Sequence, residues 1–146
     1  MSREQELQRS IKEIHISYFK LLNRKLSKAI TFCDINEKQA ILLMLVEKEG
    51  MTQKMIANHL HITEATLSSN IKRLEIKELL VRTPNSQDKR KYDLNLTESG
   101  KQVVKIFREI SEKMKLEIWN ELSEEDYELI MECIQKLKGK LEKLGE

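Results

Sequence analysis

Two groups of side chains between Thr52 and Lys91 could do chemistry together, and that chemistry is the binding of a polyanion. The first is Thr63, Glu64, Ala65, Thr66, Ser68 and Ser69, followed by Lys72 and Arg73. Most of these side chains are short, so a helix carrying them can approach base edges in a DNA groove, with the cations in reach of phosphates. The second is Asp88-Lys89-Arg90-Lys91, three cations directly behind a carboxylate. Such a cluster suits a phosphate backbone or a narrow minor groove. Catalytic machinery is missing: the chain has no Gly-rich phosphate loop, no nucleophile elbow and no zincin motif. It is therefore not expected to be an enzyme or to need a cofactor.

Those side chains need a scaffold, and the segment TQKMIANHLHITEATLSSNIKRLE, Thr52 to Glu75, reads as two short helices joined by a tight turn. Ile56, Ala57, Leu60 and Ile62 would pack the first helix and the turn. Leu67, Ile71 and Leu74 recur at i, i+4 and i+7 as the inward stripe of the second. Thr63 is the natural N-cap of that second helix. With Leu67 at zero degrees and about 3.6 residues per turn, Ala65, Ser69 and Lys72 fall opposite the stripe, flanked by Thr66, Ser68 and Arg73. This is the layout of a helix-turn-helix whose second helix reads a major groove. Small helical domains often contain two adjacent amphipathic helices, so the next segment adds the weight. After Leu79 the period becomes alternating: Leu80-Val81-Arg82-Thr83 forms one strand and Pro84-Asn85-Ser86-Gln87-Asp88 supplies turn residues. Tyr92, Leu94 and Leu96 then alternate with Asp93 and Asn95 as a second, half-buried strand. A hairpin directly behind a recognition helix is a wing, and Lys89, Arg90 and Lys91 stand at its tip.

These residues resemble the MarR/SlyA-type winged-helix transcriptional regulators. The resemblance rests on the helix-turn-helix, on RLEIKELLVR from Arg73 to Arg82, and on DKRKYDLNLTESG from Asp88 to Gly100. The last of these is the specific part: an Asp-x-Arg at a wing tip, a short alternating strand, and Leu-Thr-Glu-x-Gly opening a long helix. The resemblance implies that Arg90 reaches the minor groove and that Asp88 orients the wing. It also implies a homodimer, repression, and release from DNA when a small aromatic or lipophilic molecule binds between the dimer helices and the winged lobes. Tyr18, Phe19, Phe32, Met44 and Met114 are of the right type for such a pocket, yet at helical spacing they read as ordinary core. One position departs from the pattern. Glu78 stands where family members usually carry Gly, so either the helix ends differently there or the backbone stays right-handed for another turn.

The flanks read as dimerisation machinery. Leu7, Ile11, Ile14, Tyr18, Leu21 or Leu22 and Leu26 recur three and four apart through a first helix over about residues 4–30. Asn36 with Gln39 makes a capped start for a second helix ending near Gly50. Thr97 caps a long segment with Val103, Phe107, Ile110 and Met114 on one face, and Ser123 with Asp126 resembles a capping box for the last helix. Tyr127, Ile130, Ile134, Leu137, Leu141 and Leu144 give that helix the spacing needed to pack along another. Both the chain's own first helix and a second subunit are expected to cover it. The expected fold is mainly α with a small β-hairpin wing: a single domain, 1–146, with dimerisation helices at 1–35 and 97–146 and a winged helix-turn-helix lobe at 36–96.

With 26 basic and 24 acidic side chains the net charge is only +2, so the distribution matters more than the sum. Thr52 to Lys91 holds eight bases and four acids, whereas Ser111 to Glu146 holds ten acids and six bases. The N-terminus is charged and no apolar run approaches the ~20 residues a bilayer requires, so a cytoplasmic protein without membrane contact is expected. His15, His59 and His61 are the only imidazoles, too poorly spaced for shared ligation, and no metal site is expected. Cys33 and Cys133 read as buried structural thiols. Because one branch of the resembling family senses peroxide through a cysteine, a redox-responsive regulator acting through Cys33 is an alternative. Asp34 beside it opposes thiolate formation. A protein-protein adaptor is a second alternative, disfavoured by a wing tip of cations where apolar anchors would be needed.

Overall fold

The computed structural model describes residues 1–146. Its elements run α1 (Arg3–Ala29), α2 (Glu37–Glu47), α3 (Gln53–Leu60), α4 (Glu64–Ile76), β1 (Leu80–Pro84), β2 (Tyr92–Leu96), α5 (Glu98–Trp119) and α6 (Glu124–Leu144). The fold is mainly α with a two-stranded wing, as the sequence analysis expects. Met1–Ser111 form one compact unit and Glu112–Glu146 a second, the division falling inside α5.

Side-chain caps set where the helices begin. Asn36 Oδ1 accepts from Gln39 N at 2.9 Å while Gln39 Oε1 accepts from Asn36 N at 3.2 Å, the reciprocal pair that opens α2. Ser123 and Asp126 do the same for α6, at 3.1 Å each way. Thr52 and Thr63 cap α3 and α4 by accepting from Met55 N and Thr66 N, both at 3.1 Å. A cap of this kind contributes about 1 kcal/mol by giving an otherwise unpaired amide its acceptor.

The first unit has a conventional core. Leu22 and Leu26 of α1, Leu42 and Leu43 of α2, Ile56, the α4 stripe, Leu79, Leu80, Val103 and Val104 are all nearly inaccessible. Ala57 is buried with them, and Leu60 and Ile62 are half-buried. The hairpin is antiparallel, with Leu80 opposite Leu96, Arg82 opposite Leu94 and Pro84 opposite Tyr92. Leu94 and Leu96 are half-buried, but Tyr92 is exposed. It pairs with Pro84 at the tip end of the ladder, so the half-burial expected of it fails there.

The end of α4 follows neither course expected at Glu78. The helix stops at Ile76, Lys77 is its C-cap, and Glu78 itself adopts the left-handed conformation at φ 58°. Leu79 N donates to Leu74 O at 3.0 Å and Glu78 N to Glu75 O at 2.9 Å, the paired bonds of a Schellman ending. Thr97 Oγ1 donates to Glu78 O at 2.7 Å. These bonds hold a glutamate in a conformation that costs a residue with a Cβ about 1–2 kcal/mol. Thr97 Oγ1 also accepts from Gly100 N at 3.0 Å. A Cβ on Gly100 would lie 2.0 Å from Leu79 O, so the close approach of α5 to the end of α4 requires glycine in the Leu-Thr-Glu-x-Gly segment.

In α5, Val103, Phe107 and Met114 are buried and Ile110 is half-buried, matching the expected stripe. In the second unit α6 buries none of its residues.

Candidate nucleic-acid interface

The α4 helix turns its apolar stripe inward completely: Leu67, Ile71 and Leu74 are no more than 1% exposed. Thr63, Glu64, Ala65, Thr66, Ser69, Lys72 and Arg73 are consequently exposed and Ser68 is half-buried. The structure thus leaves every residue of the predicted α4 set accessible, Ser68 the least so. Thr63 Oγ1 also donates to Thr66 Oγ1 at 2.9 Å, so these two hydroxyls are oriented by each other before any ligand arrives. Lys72 and Arg73 hold no ion-pair partner in the chain, whereas the less exposed Arg82 of β1 bonds Glu75 at 2.7 Å and ties the wing to the last turn of α4.

The wing tip is a small network. Asp88 Oδ1 accepts from Arg90 N at 3.0 Å and from Arg90 Nε at 3.2 Å. The guanidinium beside it, together with the Arg90 amide, holds the Asp88 carboxyl below its usual range. A depressed carboxyl stabilises the fold above its unfolded pKa and loses that contribution only as pH falls through the lower folded value. The Asp88–Arg90 arrangement therefore persists through the neutral range. The Arg90 side chain is 92% exposed while that of Asp88 is 30% exposed, so the carboxylate supports the loop and the guanidinium projects from it. Lys89 and Lys91 are exposed on either side of it.

Sequence reasoning reads Asn85 as a turn residue but misses that it organises this tip. Asn85 Oδ1 accepts from Gln87 N and Asp88 N, both at 2.9 Å, and Asn85 Nδ2 donates to Asp93 Oδ1 at 3.1 Å. The signal was present as an Asn after Pro84, three residues before Asp88, in position to cap its own turn. Its bond to Asp93 across the hairpin was not readable.

Other candidate groups fare differently. Cys33 is half-buried, and burial pushes its thiol pKa up, with Lys77 opposing and Asp34 adding to the shift. Cys133 is exposed, which corrects the expectation of a buried thiol; it lies on α6, where nothing is buried. His59 and His61 are exposed, and His61 takes a left-handed turn at φ 54° after α3. Of the five residues of pocket type, Phe32 is exposed, Met114 is buried, and Tyr18, Phe19 and Met44 are half-buried. None of the five lines the cleft of about 600 Å³ that lies between the α2–α3 loop and β2, bordered by Val46, Met51, Tyr92 and Leu94.

The MarR family profile fits residues 36–92. The HTH-type transcriptional regulator SarZ of Staphylococcus aureus is 33% identical over 100 residues, covering 61% of this chain and 68% of SarZ. The uncharacterized HTH-type transcriptional regulator YdcH of Bacillus subtilis is 34% identical over 96 residues, 62% of this chain. The matched stretch spans just under two thirds of YdcH, 65% of its length. Among solved structures, the S. aureus MepR-DNA complex superposes with a TM-score of 0.79 at 28% identity, covering 96% of this chain and 99% of that one.

Proposed function

The chain belongs to the MarR family, and on that premise we propose that it is a sequence-specific, double-stranded DNA-binding transcriptional regulator acting as a homodimeric repressor. The observation that carries the reading is the joint exposure of the polar α4 face and of Arg90, each held from behind by its own element. Likeness to the MepR-DNA complex supports it.

In this reading α4 enters a major groove, with Thr63 to Ser69 against base edges and Lys72 and Arg73 at phosphates. The wing carries Arg90 toward the adjacent minor groove. The uncovered stripes of α1 and α6 supply the dimer, and a two-fold dimer places two α4 helices about 34–36 Å apart on a pseudo-palindromic operator. A small aromatic or lipophilic effector would release DNA by binding the DNA-incompetent arrangement more tightly than the competent one. No helix is long and apolar enough to cross a membrane, and a cytoplasmic regulator without catalytic activity goes with this reading. Redox control through Cys33 is less well supported, because burial disfavours its thiolate. The exposed cations of the wing tip likewise count against an adaptor role.

Selection of duplexes from a random pool by the purified protein tests this. Enrichment of a pseudo-palindrome with half-sites one turn apart is expected, and absence of enrichment at both low and moderate salt would favour the adaptor. On the selected duplex, Arg90→Ala is expected to weaken binding by about 1–3 kcal/mol, while Lys72→Ala or Arg73→Ala should each lower the salt slope by about one. Unchanged affinity in Arg90→Ala would remove the wing from the interface.

A further inference from the structure

The last turn of α4 is held from two sides. On one side Glu75 pairs with Arg82 of the wing. On the other, Lys77 Nζ donates to the main-chain oxygen of Asp34, in the loop between α1 and α2, and to Gln39 Oε1 at 3.3 Å. The same Gln39 oxygen accepts from Asn36 N in the cap of α2. That cap is joined in turn to α1, because Asn23 Oδ1 accepts from Glu37 N at 2.8 Å. A continuous run of polar contacts therefore leads from the first helix, through the start of α2, to the end of the helix whose opposite end carries the base-reading side chains.

The chemistry at Lys77 is specific. The residue is half-buried, and its ammonium has no carboxylate within ion-pair distance and is held by neutral oxygens. Bonds from a charged donor are stronger and shorter than neutral ones, and the cation also sits at the C-terminal end of α4, where the helix dipole favours it. A lysine used in this way is engaged by the protein and not free for a phosphate.

We infer that Lys77 is a positioning residue for DNA reading: it fixes the angle of α4 against the α1–α2 loop, so that a displacement of the first helix reaches the base-reading face through this side chain. The inference rests on the DNA-binding reading above. It differs from the roles given to Lys72 and Arg73, which touch DNA themselves.

The test uses the full chain, the duplex recovered by selection, and a scrambled duplex of equal length, each titrated over a range of salt. Lys77→Met keeps the aliphatic stem and removes the donors. It should weaken binding to the selected duplex about tenfold, leave the scrambled duplex unaffected, and leave the salt slope of both unchanged, because no phosphate contact is lost. Lys77→Arg should recover part of the affinity. Gln39→Leu, which leaves Lys77 in place, should shift the selected duplex in the same direction by a smaller factor, and it carries the test if Lys77→Met does not fold. A slope lowered by about one would make Lys77 a phosphate contact instead. Equal affinity for the selected duplex together with a lowered melting temperature would make it a stabiliser only. Either result overturns the inference. Failure of the parent to enrich any duplex would remove the DNA reading and this inference together, whereas enrichment by the parent with no change in Lys77→Met would remove this one alone.

Discussion

Helices α4 and α6 carry apolar stripes of similar regularity and meet different fates. In α4, Leu67, Ile71 and Leu74 are at most 1% exposed; in α6, Ile130, Ile134 and Leu137 are 43%, 42% and 54% exposed. Both stripes follow from the same spacing, so periodicity alone predicts a helix with a face to bury and says nothing of what covers it. Helix α4 buries its stripe within its own unit. The last helix presents more apolar side chains than are ordinarily left in water as a continuous strip, the surface that the proposed dimer would cover.

The largest effect that could break this contrast is expected from Ile134→Asp. In a two-fold dimer each substitution counts twice, so losing the remaining 42% of one isoleucine's burial per subunit should cost about 1–3 kcal/mol per dimer, and desolvating two carboxylates in its place adds several more. Sedimentation at micromolar concentration should show monomer, and affinity for the selected palindrome should collapse while the winged lobe stays folded. A variant that still sediments as a dimer and binds as the parent does would mean that the α6 stripe is not the dimer surface. The contrast between the two helices would then need another explanation.

A second test compares the same substitution in the two regions. Gly100→Ala puts a Cβ 2.0 Å from Leu79 O, and that contact is with backbone, which cannot swing aside. A loss of about 1–3 kcal/mol in urea unfolding is expected. Gly139 of α6 meets nothing within 4 Å on addition of a Cβ, so Gly139→Ala should instead stabilise by about 0.5–1 kcal/mol through helix propensity. Changes of the same sign would show that the two regions are packed alike.

The parts of the fold legible in the sequence were those encoded over three or four residues. Thr63, Asn36 and Ser123 cap their helices because the acceptor and its amide lie one turn apart, and the α4 face follows from the 3.6-residue period. Strand alternation placed the wing, and Asp88 was recognisable beside Arg90. What stayed hidden depended on distant partners. Lys77 reaches 43 residues back to Asp34, Asn85 reaches across the hairpin to Asp93, and the exposure of Cys133 and Tyr92 is not announced by any local pattern.

Glu78 gives the smallest effect and the sharpest view of why the lobe differs from α6. Its left-handed φ of 58° persists because the surroundings over-determine it: Leu79 N is bonded to Leu74 O, Glu78 N to Glu75 O, and Thr97 Oγ1 to Glu78 O. Strain of this kind can be stored only where packing leaves the chain no alternative. Glu78→Gly should therefore raise stability by about 1 kcal/mol, the Cβ penalty relieved less part of glycine's larger entropy loss on folding. It should leave operator affinity unchanged, since the side chain is exposed and lies beyond the reading face. Glu78→Ala separates strain from charge: alanine keeps the Cβ, so no gain is expected, and urea midpoints of the three proteins decide the matter. A gain in the alanine variant equal to that in the glycine variant would place the effect in the lost carboxylate, and the backbone at the end of α4 would then carry no strain for the lobe to hold.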